Sequence, residues 1–143
     1  MAAPPVGTPL RLFWRIHRAF VRLTGARFGR VGPLPVLLLR TKGRSTGLPR
    51  EVALNYIRDD NNYVVIGSYA GSDRDPEWFK NLKAFPAADI LVDGKRIRVR
   101  ARECLGAKRQ LLWERIVERD SAYAEYQKRT TRQIPVVELD PIA

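Results

Sequence analysis

The spacing of apolar and polar residues divides the chain into short segments of two kinds. Segments rich in β-branched and aromatic residues, either alternating with polar residues or in short apolar runs, predict β-strands. Turn residues separate them: Asp59–Asn62 joins two of these segments, and Asp93-Gly94 joins two others in the manner of a two-residue hairpin. The strands predicted in this way cover residues 36–40, 51–58, 63–67, 88–92, 96–103 and 134–139.

Apolar residues at a period near 3.6 predict helices over residues 9–23, 75–85, 106–120 and 122–128. The second of these begins with Asp75 as the N-cap and Pro76 at the first helical position. The resulting order is α-β-β-β-α-β-β-α-α-β, with connections of hairpin length and no regular alternation of strand and helix. This order predicts a mainly β (α+β) fold, a small antiparallel barrel with helices packed on it.

The first predicted helix is amphipathic and basic. Steps of four, three and four residues place its arginines on one stripe, which consists of Arg11, Arg15, Arg18 and Arg22. Apolar residues cover the other faces, and His17 lies among them as an expected packing residue. Two interpretations remain open: the helix closes one end of the barrel core, or residues 9–24 lie on an anionic membrane surface. We therefore expect a helical arm over residues 1–30 and a barrel domain over 31–143.

The charge distribution strengthens the expectation of an anionic partner. The chain has 143 residues with 26 Lys or Arg and 15 Asp or Glu, and every charged residue among the first 50 is basic. A single cysteine, Cys104, and a single histidine, His17, exclude a disulfide framework, a zinc cluster and a choice of histidines for a Ser-His-Asp triad. Neither a membrane-spanning run nor a secretory signal is recognisable, so we expect a cytoplasmic protein.

The segment Thr41–Arg50, between two predicted strands, carries the densest chemistry. It contains three cations, three hydroxyl groups and two glycines, the residue types that bind a phosphate or a polycarboxylate. The order of its residues is not that of a Walker loop. A solvated basic turn is the alternative interpretation.

Three further segments carry candidate site residues. Ile66–Gly71 ends a strand in small residues, against which a flat ring can lie, and Ser68 supplies a donor. Asp75–Lys83 carries two aromatic residues on a capped helix. In the last segment, Tyr123 and Tyr126 place two phenols on one helical face, either as core packing or as a wall that donates hydrogen bonds.

Together these segments resemble the deazaflavin-dependent nitroreductase family, the split-barrel oxidoreductases that use coenzyme F420. The similarity runs from about Val36 to Pro141 and rests on three motifs in the family's order. These are T-x-G-R-x-T-G-x-P-R at 41–50, P-x-W-[FY]-x-N-L-K-A-x-P at 76–86 and Y-x-x-Y-Q-x-x-T-x-R-x-I-P-V-V at 123–137.

The resemblance implies a six-stranded split β-barrel that binds reduced coenzyme F420 in a groove and transfers hydride to a quinone, an enone or a nitroaromatic compound. The implied contacts to the phosphate and the lactyl-glutamate tail are Arg44, Ser45, Thr46 and Arg50. The implied contacts to the deazaflavin ring are Val52, Ala53, Asn55, Ile66, Gly67, Ser68, Tyr69, Trp78 and Asn81. The implied catalytic groups beside the acceptor are Tyr126, Tyr123 and Ser68. No metal is implied.

The chain departs from the family pattern at two places. The family often has Lys at position 45, where this chain has Ser, with Lys42 nearby as a substitute. It often reads S-K-G-G where this chain has Ser68-Tyr69-Ala70-Gly71.

Two alternative functions compete with an enzymatic one. A basic barrel could bind single-stranded nucleic acid by stacking bases on Tyr63, Tyr69 and Trp78, and a barrel without cofactor could act as a peripheral lipid-binding protein. The charge placement disfavours the first, because the excess lies mostly in the N-terminal helix and one loop. We therefore expect a small-molecule acceptor as the partner and no nucleic acid.

Overall fold

A computed structural model describes residues 8–25 and 32–142. Its helices are α1 (Thr8–Leu23), α2 (Glu77–Ala84), α3 (Gly106–Arg119) and α4 (Ala122–Lys128). Its strands are β1 (Val36–Lys42), β2 (Pro49–Asp59), β3 (Asn62–Ile66), β4 (Ala87–Val92), β5 (Lys95–Glu103) and β6 (Val136–Pro141). A short 3-10 turn, Tyr69–Gly71, lies between β3 and α2.

The six strands form a closed antiparallel barrel, which confirms the predicted architecture. Their order around the barrel is β1-β2-β3-β6-β5-β4. β1 and β2 form a long hairpin that is paired from Val36↔Asn55 to Lys42↔Pro49. The barrel closes where β1 pairs with β4 over Leu38↔Leu91, Leu39↔Ile90 and Arg40↔Asp89. The loop that joins β1 and β2 therefore projects from the end of the longest hairpin.

Alternation along the strands divides the apolar residues between the barrel interior and its outer faces. The interior is filled by side chains from all six strands together with Trp78, Phe79 and Leu82 of α2. A second core forms between the barrel and the helices α3 and α4, with Leu112, Ile116 and Tyr123 at its centre. Along β5 the arginines are exposed and Val99 is fully buried, which confirms the predicted alternation.

α1 packs on the outside of the barrel and not over one end of its core. Val21 is fully buried against Val36 and Leu38. Arg22, on the neighbouring face, contacts Glu51 of β2. The opposite face is apolar and exposed, with exposures of 47% for Phe13, 60% for Ile16, 48% for Phe20 and 84% for Leu23. Arg18 and Arg22 thus flank the contact with the barrel, and the apolar stripe points away from it.

His17 is half-buried on α1 and stands edge-on to the Trp14 ring at 5.7 Å between ring centroids. This contact agrees with a packing role. The expected division of the chain at residue 30 lies outside the described residues. Among the described helices none is long and apolar enough to cross a membrane.

Two predicted element ends differ from the structure. Asp75 does not cap α2: the N-cap is Pro76, and the carboxylate of Asp75 accepts a bond from Arg132 at 3.0 Å. β6 begins at Val136, not at Ile134. The reason is local, because the Ile134 N–H donates to the Gln127 side chain at 3.0 Å and Pro135 has no N–H to donate to a ladder.

Candidate active site

A cavity of about 470 Å³ opens between the β1–β2 loop, the start of β2, the turn at Tyr69 and the first turns of α2. These four elements come from three of the four segments that the sequence singles out. The lining residues are Thr41, Gly43, Arg44, Ser45, Thr46, Arg50, Glu51, Val52, Tyr69, Pro76, Glu77, Trp78 and Asn81.

Arg44 is held in place by α2. Its Nη1 donates to Asn81 Oδ1 at 2.9 Å and its Nη2 to Glu77 Oε1 at 2.9 Å. The backbone N–H of Arg44 also donates to Asn81 Oδ1, and Asn81 Nδ2 donates to Thr41 Oγ1 at 3.2 Å. The hydrogen bond from Arg44 holds the pKa of Glu77 below its usual range. The guanidinium is therefore oriented before any ligand arrives.

Arg50 differs from Arg44 because its guanidinium forms no hydrogen bond or ion pair with any residue that the structure describes. It is exposed at the rim, beside the hydroxyl groups of Ser45 and Thr46. Gly47 has φ +73° and its N–H donates to Gly43 O at 2.7 Å, which closes the loop tightly. The cavity thus offers an anion the guanidinium of Arg50 and the hydroxyl groups of Ser45 and Thr46, of which Thr46 Oγ1 already accepts a bond from the Leu48 N–H at 3.2 Å.

Glu51 is an acidic residue in the wall of this otherwise anion-binding cavity. It accepts bonds from Arg22 of α1 and Arg40 of β1, each at 2.7 Å. Burial alone would raise the pKa of Glu51, but the bonds from Arg40 and Arg22 outweigh it and hold the pKa below the usual range. Since two arginines compensate its charge, Glu51 leaves the cavity attractive to anions.

Another part of the cavity is apolar. Val52 and Trp78 form its walls, and Trp78 is only 5% exposed because its ring is part of the barrel interior. Tyr69 and Ala70 have φ of +47° and +51°, in the left-handed region that L-residues adopt at a cost. The preceding Ser68 is buried. Ser68 Oγ and Trp78 Nε1 are buried polar atoms with no hydrogen-bond partner among the described residues.

Neither of the two phenols is among the residues that line the cavity. Tyr123 is 2% exposed, and its hydroxyl accepts a bond from Asn55 Nδ2 at 3.1 Å. Burial raises the pKa of Tyr123 to about 12. Tyr126 is half-buried and stands edge-on to Tyr123 at 5.6 Å. Burial thus favours a packing role for Tyr123, and of the two phenols Tyr126 is the more accessible.

The structure brings together most of the cofactor contacts that the resemblance implies. Those that line the cavity are Arg44, Ser45, Thr46, Arg50, Val52, Tyr69, Trp78 and Asn81. Those that do not are Ala53, Asn55, Ile66, Gly67 and Ser68. Ala53 packs under α1, Ile66 belongs to the second core and Gly67 lies against Pro135, so their side-chain positions point away from the cavity.

Sequence reasoning missed the two acidic residues of the wall. Glu77 stands one helical turn before Asn81, a spacing that places both side chains on one face, and this signal was available. Glu51 pairs with Arg40 across the β1–β2 ladder, a relation visible only once the register is known. Lys42 does not substitute for the family's Lys at position 45, because its Nζ lies 4.4 Å from the Phe85 ring centroid over a neighbouring groove.

These features define a small barrel with a cavity suited to a flat ligand with an anionic extension. The unpaired guanidinium of Arg50 and the neighbouring hydroxyl groups fit a phosphate-bearing tail, and the unpartnered Nε1 of Trp78, a lining residue, fits a ring with polar edges. The residues present therefore fit coenzyme F420. Two of the three rings that a nucleic-acid site would use, Tyr63 and Trp78, are buried.

Comparisons with known proteins identify the family. The sequence profile of the F420H(2)-dependent quinone reductase family matches residues 12–141. The F420H(2)-dependent quinone reductase of Mycobacterium tuberculosis is 40% identical over 130 residues, covering 87% of each chain. The chain belongs to the F420H(2)-dependent quinone reductase family, and it is an oxidoreductase that uses coenzyme F420.

Solved structures show the same fold. An F420-H2 dependent reductase, FDR-A, is 34% identical and superposes with a TM-score of 0.69, covering 74% of this chain and 94% of its own. A second structure, described as a domain-swapped dimer, is 30% identical with a TM-score of 0.70 and covers 91% of this chain and 99% of its own.

Proposed function

We propose that this reductase transfers hydride from reduced coenzyme F420 to quinones in preference to enones and nitroaromatic compounds. The observation that carries the proposal is the lining of the cavity, which combines the unpaired guanidinium of Arg50 with the apolar side chains of Val52 and Trp78. The name of the mycobacterial relative supports a quinone as the acceptor.

The coenzyme supplies the hydride when bound, and the residues of the chain bind, orient and exclude water. Arg50 and Arg44 hold the anionic tail, with Ser45 and Thr46 beside them. Val52 and Trp78 cover the ring and keep water away from it. Tyr126, the more accessible of the two phenols, would donate a hydrogen bond to the acceptor oxygen as negative charge develops there.

The acceptor preference is tested with the full chain and reduced coenzyme F420. We expect kcat/KM for a soluble naphthoquinone to exceed that for a cyclic enone and for a nitroaromatic compound by about tenfold or more, because quinones are the strongest hydride acceptors of the three. Reappearance of oxidised coenzyme F420 fluorescence measures each rate. A higher kcat/KM with either of the other acceptors would contradict the proposal.

We further propose that the protein works in the cytoplasm, on the inner face of the cell membrane, with α1 as its membrane contact. The apolar stripe of α1, formed by Phe13, Ile16, Phe20 and Leu23, points away from the barrel, where it can enter the interface between headgroups and acyl chains. Arg15 is exposed and can contact anionic headgroups, whereas Arg22 is engaged with Glu51. A membrane-held quinone would then be a suitable acceptor.

Vesicle co-sedimentation tests the membrane contact. Replacing the four apolar residues of the stripe by Ser should lower partitioning into phosphatidylglycerol-containing vesicles by more than tenfold, because each buried apolar side chain contributes roughly 1.5–3 kcal/mol. The control is Leu105→Ser with Leu111→Ser, which removes exposed apolar residues from and beside α3. Equal partitioning of the two variants would contradict the proposal.

A further inference from the structure

A guanidinium group outside the cavity bonds to two segments that line it, one carrying Tyr69 and the other leading to Trp78. We call this part of the cavity its ring-binding end. Arg132 lies between α4 and β6 and its side chain is only 15% exposed. Its Nη2 donates to Ser68 O at 2.8 Å, its Nη1 to Gly67 O at 3.2 Å, and its Nε to Ser72 O at 2.8 Å. The three carbonyl groups lie on both sides of the turn Tyr69–Gly71, so one side chain bridges the two ends of this loop.

The loop needs such an external tie. Tyr69 and Ala70 have positive φ angles without being glycine, and the next residue, Gly71, has φ +79°. Consecutive left-handed residues are unfavourable for L-amino acids and persist only where the surroundings hold them. Among the described residues, one other side chain bonds to this loop: Arg129, which reaches Ala70 O at 3.4 Å, whereas two of the three Arg132 bonds are 2.8 Å long.

The same guanidinium also reaches the opposite wall. Arg132 Nη1 donates to Asp75 Oδ1 at 3.0 Å, and Asp75 directly precedes Pro76, the N-cap of α2. α2 carries Trp78 and Asn81, whereas the loop carries Tyr69. Arg132 thus connects the two segments whose separation sets the width of the cavity at this end.

Arg132 is itself firmly anchored to the second core. Its carbonyl oxygen accepts a bond from Gln127 Nε2 at 2.7 Å, and its N–H donates to Thr130 Oγ1 at 3.3 Å. Gln127 Oε1 in turn accepts from the Ile134 N–H. Arg132 therefore fixes the loop relative to α4.

We infer that Arg132 is a positioning residue that sets the width of the ring-binding end of the cavity and thereby the affinity for the deazaflavin ring. The inference rests on the assignment of the cavity to coenzyme F420. It assigns the two parts of the ligand to different residues: Arg132 determines the affinity for the ring, and Arg50 determines the affinity for the tail.

A two-ligand titration tests this separation. The probes are oxidised coenzyme F420 and its tail-less chromophore, 8-hydroxy-5-deazariboflavin, each followed by fluorescence polarisation. Arg132→Lys keeps the charge opposite Asp75 and loses the planar fork, so we expect it to weaken both ligands by the same factor, about tenfold. Arg50→Ala should weaken coenzyme F420 alone.

Controls separate positioning from general stability. Arg129→Lys changes the neighbouring arginine, with its single long bond to the same loop, and should leave both affinities within twofold of the wild type. Thermal unfolding is recorded for each variant. If Arg132→Lys does not unfold cooperatively, Asp75→Asn carries the test, with an expected weakening of both ligands of about threefold, because it loosens only the tie to α2.

Unchanged affinity for the tail-less chromophore in a folded Arg132→Lys protein, or in Asp75→Asn where that variant carries the test, would overturn the inference. So would a loss confined to coenzyme F420, since Arg132 would then act on the tail. Because the titration contains no acceptor, these outcomes leave the proposed quinone preference unaffected. Failure of the wild type to bind either probe would overturn the assignment of the cavity and the inference with it.

Discussion

At the scale of single residues, the two arginines of the cavity are in different states before a ligand arrives. Arg44 is bonded to Asn81 and Glu77, whereas Arg50 has no partner among the described residues. An anion that binds Arg44 replaces an existing carboxylate contact, but an anion that binds Arg50 makes a new one. The two side chains should therefore contribute unequally to the affinity.

Arg50→Ala should weaken the binding of coenzyme F420 by about tenfold or more, since a charge-assisted hydrogen bond contributes about 1.5–3 kcal/mol. Arg44→Ala should weaken it less, because part of its contribution already exists without ligand. Fluorescence polarisation measures both affinities. Arg119→Ala, which removes an exposed arginine from the end of α3, controls for the change in net charge. A larger loss at Arg44 than at Arg50 would contradict the expected order.

Substitutions of the two phenols should also have different effects. Tyr126→Phe removes the accessible hydroxyl and should slow hydride transfer about tenfold, with coenzyme affinity unchanged. Tyr123→Phe removes the hydroxyl that accepts from Asn55, so it should lower the melting temperature and leave the transfer rate unchanged. Single-turnover stopped-flow measurements give the rates. If neither substitution changes the rate, both phenols serve packing alone.

The sequence predicts the individual cations and aromatic residues of the site well and their partners poorly. Residue type reveals that Arg44 and Arg50 can bind an anion. That Arg44 is held by Glu77, or Glu51 by Arg22 and Arg40, depends on strand register and helix placement, which no local pattern contains. Burial likewise determines the packing role of Tyr123, and burial is a property of the assembled fold.

At the scale of elements, the loop between β3 and α2 is fitted closely against α4. A Cβ atom built on Gly71 would lie 2.6 Å from Tyr126 O and 2.9 Å from Arg129 Cβ. Gly71 also has a positive φ, so two separate reasons require glycine there. Gly106, at the start of α3, has a positive φ but nothing within 4 Å of such a Cβ.

Replacing each glycine by alanine separates the two reasons. Gly106→Ala should lower the free energy of unfolding by about 1 kcal/mol, the cost of the left-handed conformation. Gly71→Ala should lower it by roughly 2–4 kcal/mol, because the contact is with backbone and α4 must shift. Denaturant unfolding measures both values. Equal losses would mean that α4 moves aside without cost.

Element positions follow from the sequence more closely than element ends do. α4 spans the predicted residues, and the strands start and end within a few residues of prediction. The exceptions have tertiary causes: Asp75 is recruited by Arg132 instead of capping α2, and the facing of α1 is set by Val21 and by the bond between Arg22 and Glu51. Periodicity alone gave two faces for α1 without telling which one meets the barrel.

At the scale of the whole molecule, an ion network joins α3 to the side of the barrel remote from the cavity. Glu138 of β6 is 4% exposed and accepts bonds from Asn62 at 2.9 Å and from Arg102 at 3.0 Å. Lys108 of α3 lies 3.7 Å from Glu138 and 2.7 Å from Asp59. Burial alone would raise the pKa of Glu138, but these bonds and charges outweigh it and hold the pKa below the usual range.

The lowered pKa makes stability depend on pH in a defined direction. Ionised Glu138 stabilises the fold above its unfolded pKa, and this contribution is lost as the pH falls through the lower, folded pKa. Between about pH 5 and about pH 3 the melting temperature of the wild type should therefore fall more steeply than that of Glu138→Gln. At pH 7 the variant should be less stable, by on the order of 1–3 kcal/mol.

Glu125→Gln is the matched control, because Glu125 is exposed and, among the described residues, forms an ion pair only with Lys128. Calorimetry across the same pH range gives the slopes. A Glu138→Gln slope identical to that of the wild type would show that other carboxylates govern the acid transition.

The carboxylate of Glu77 has a consequence for which anions the cavity admits. It is a tethered competitor, present at Arg44 at a high and constant effective concentration. A small anion such as chloride or acetate must displace it with a single contact and gains little. A ligand that also reaches Arg50 offers a second contact that Glu77 does not contest. Binding at Arg44 thereby disfavours a small anion with a single contact and favours a long anion with several charges.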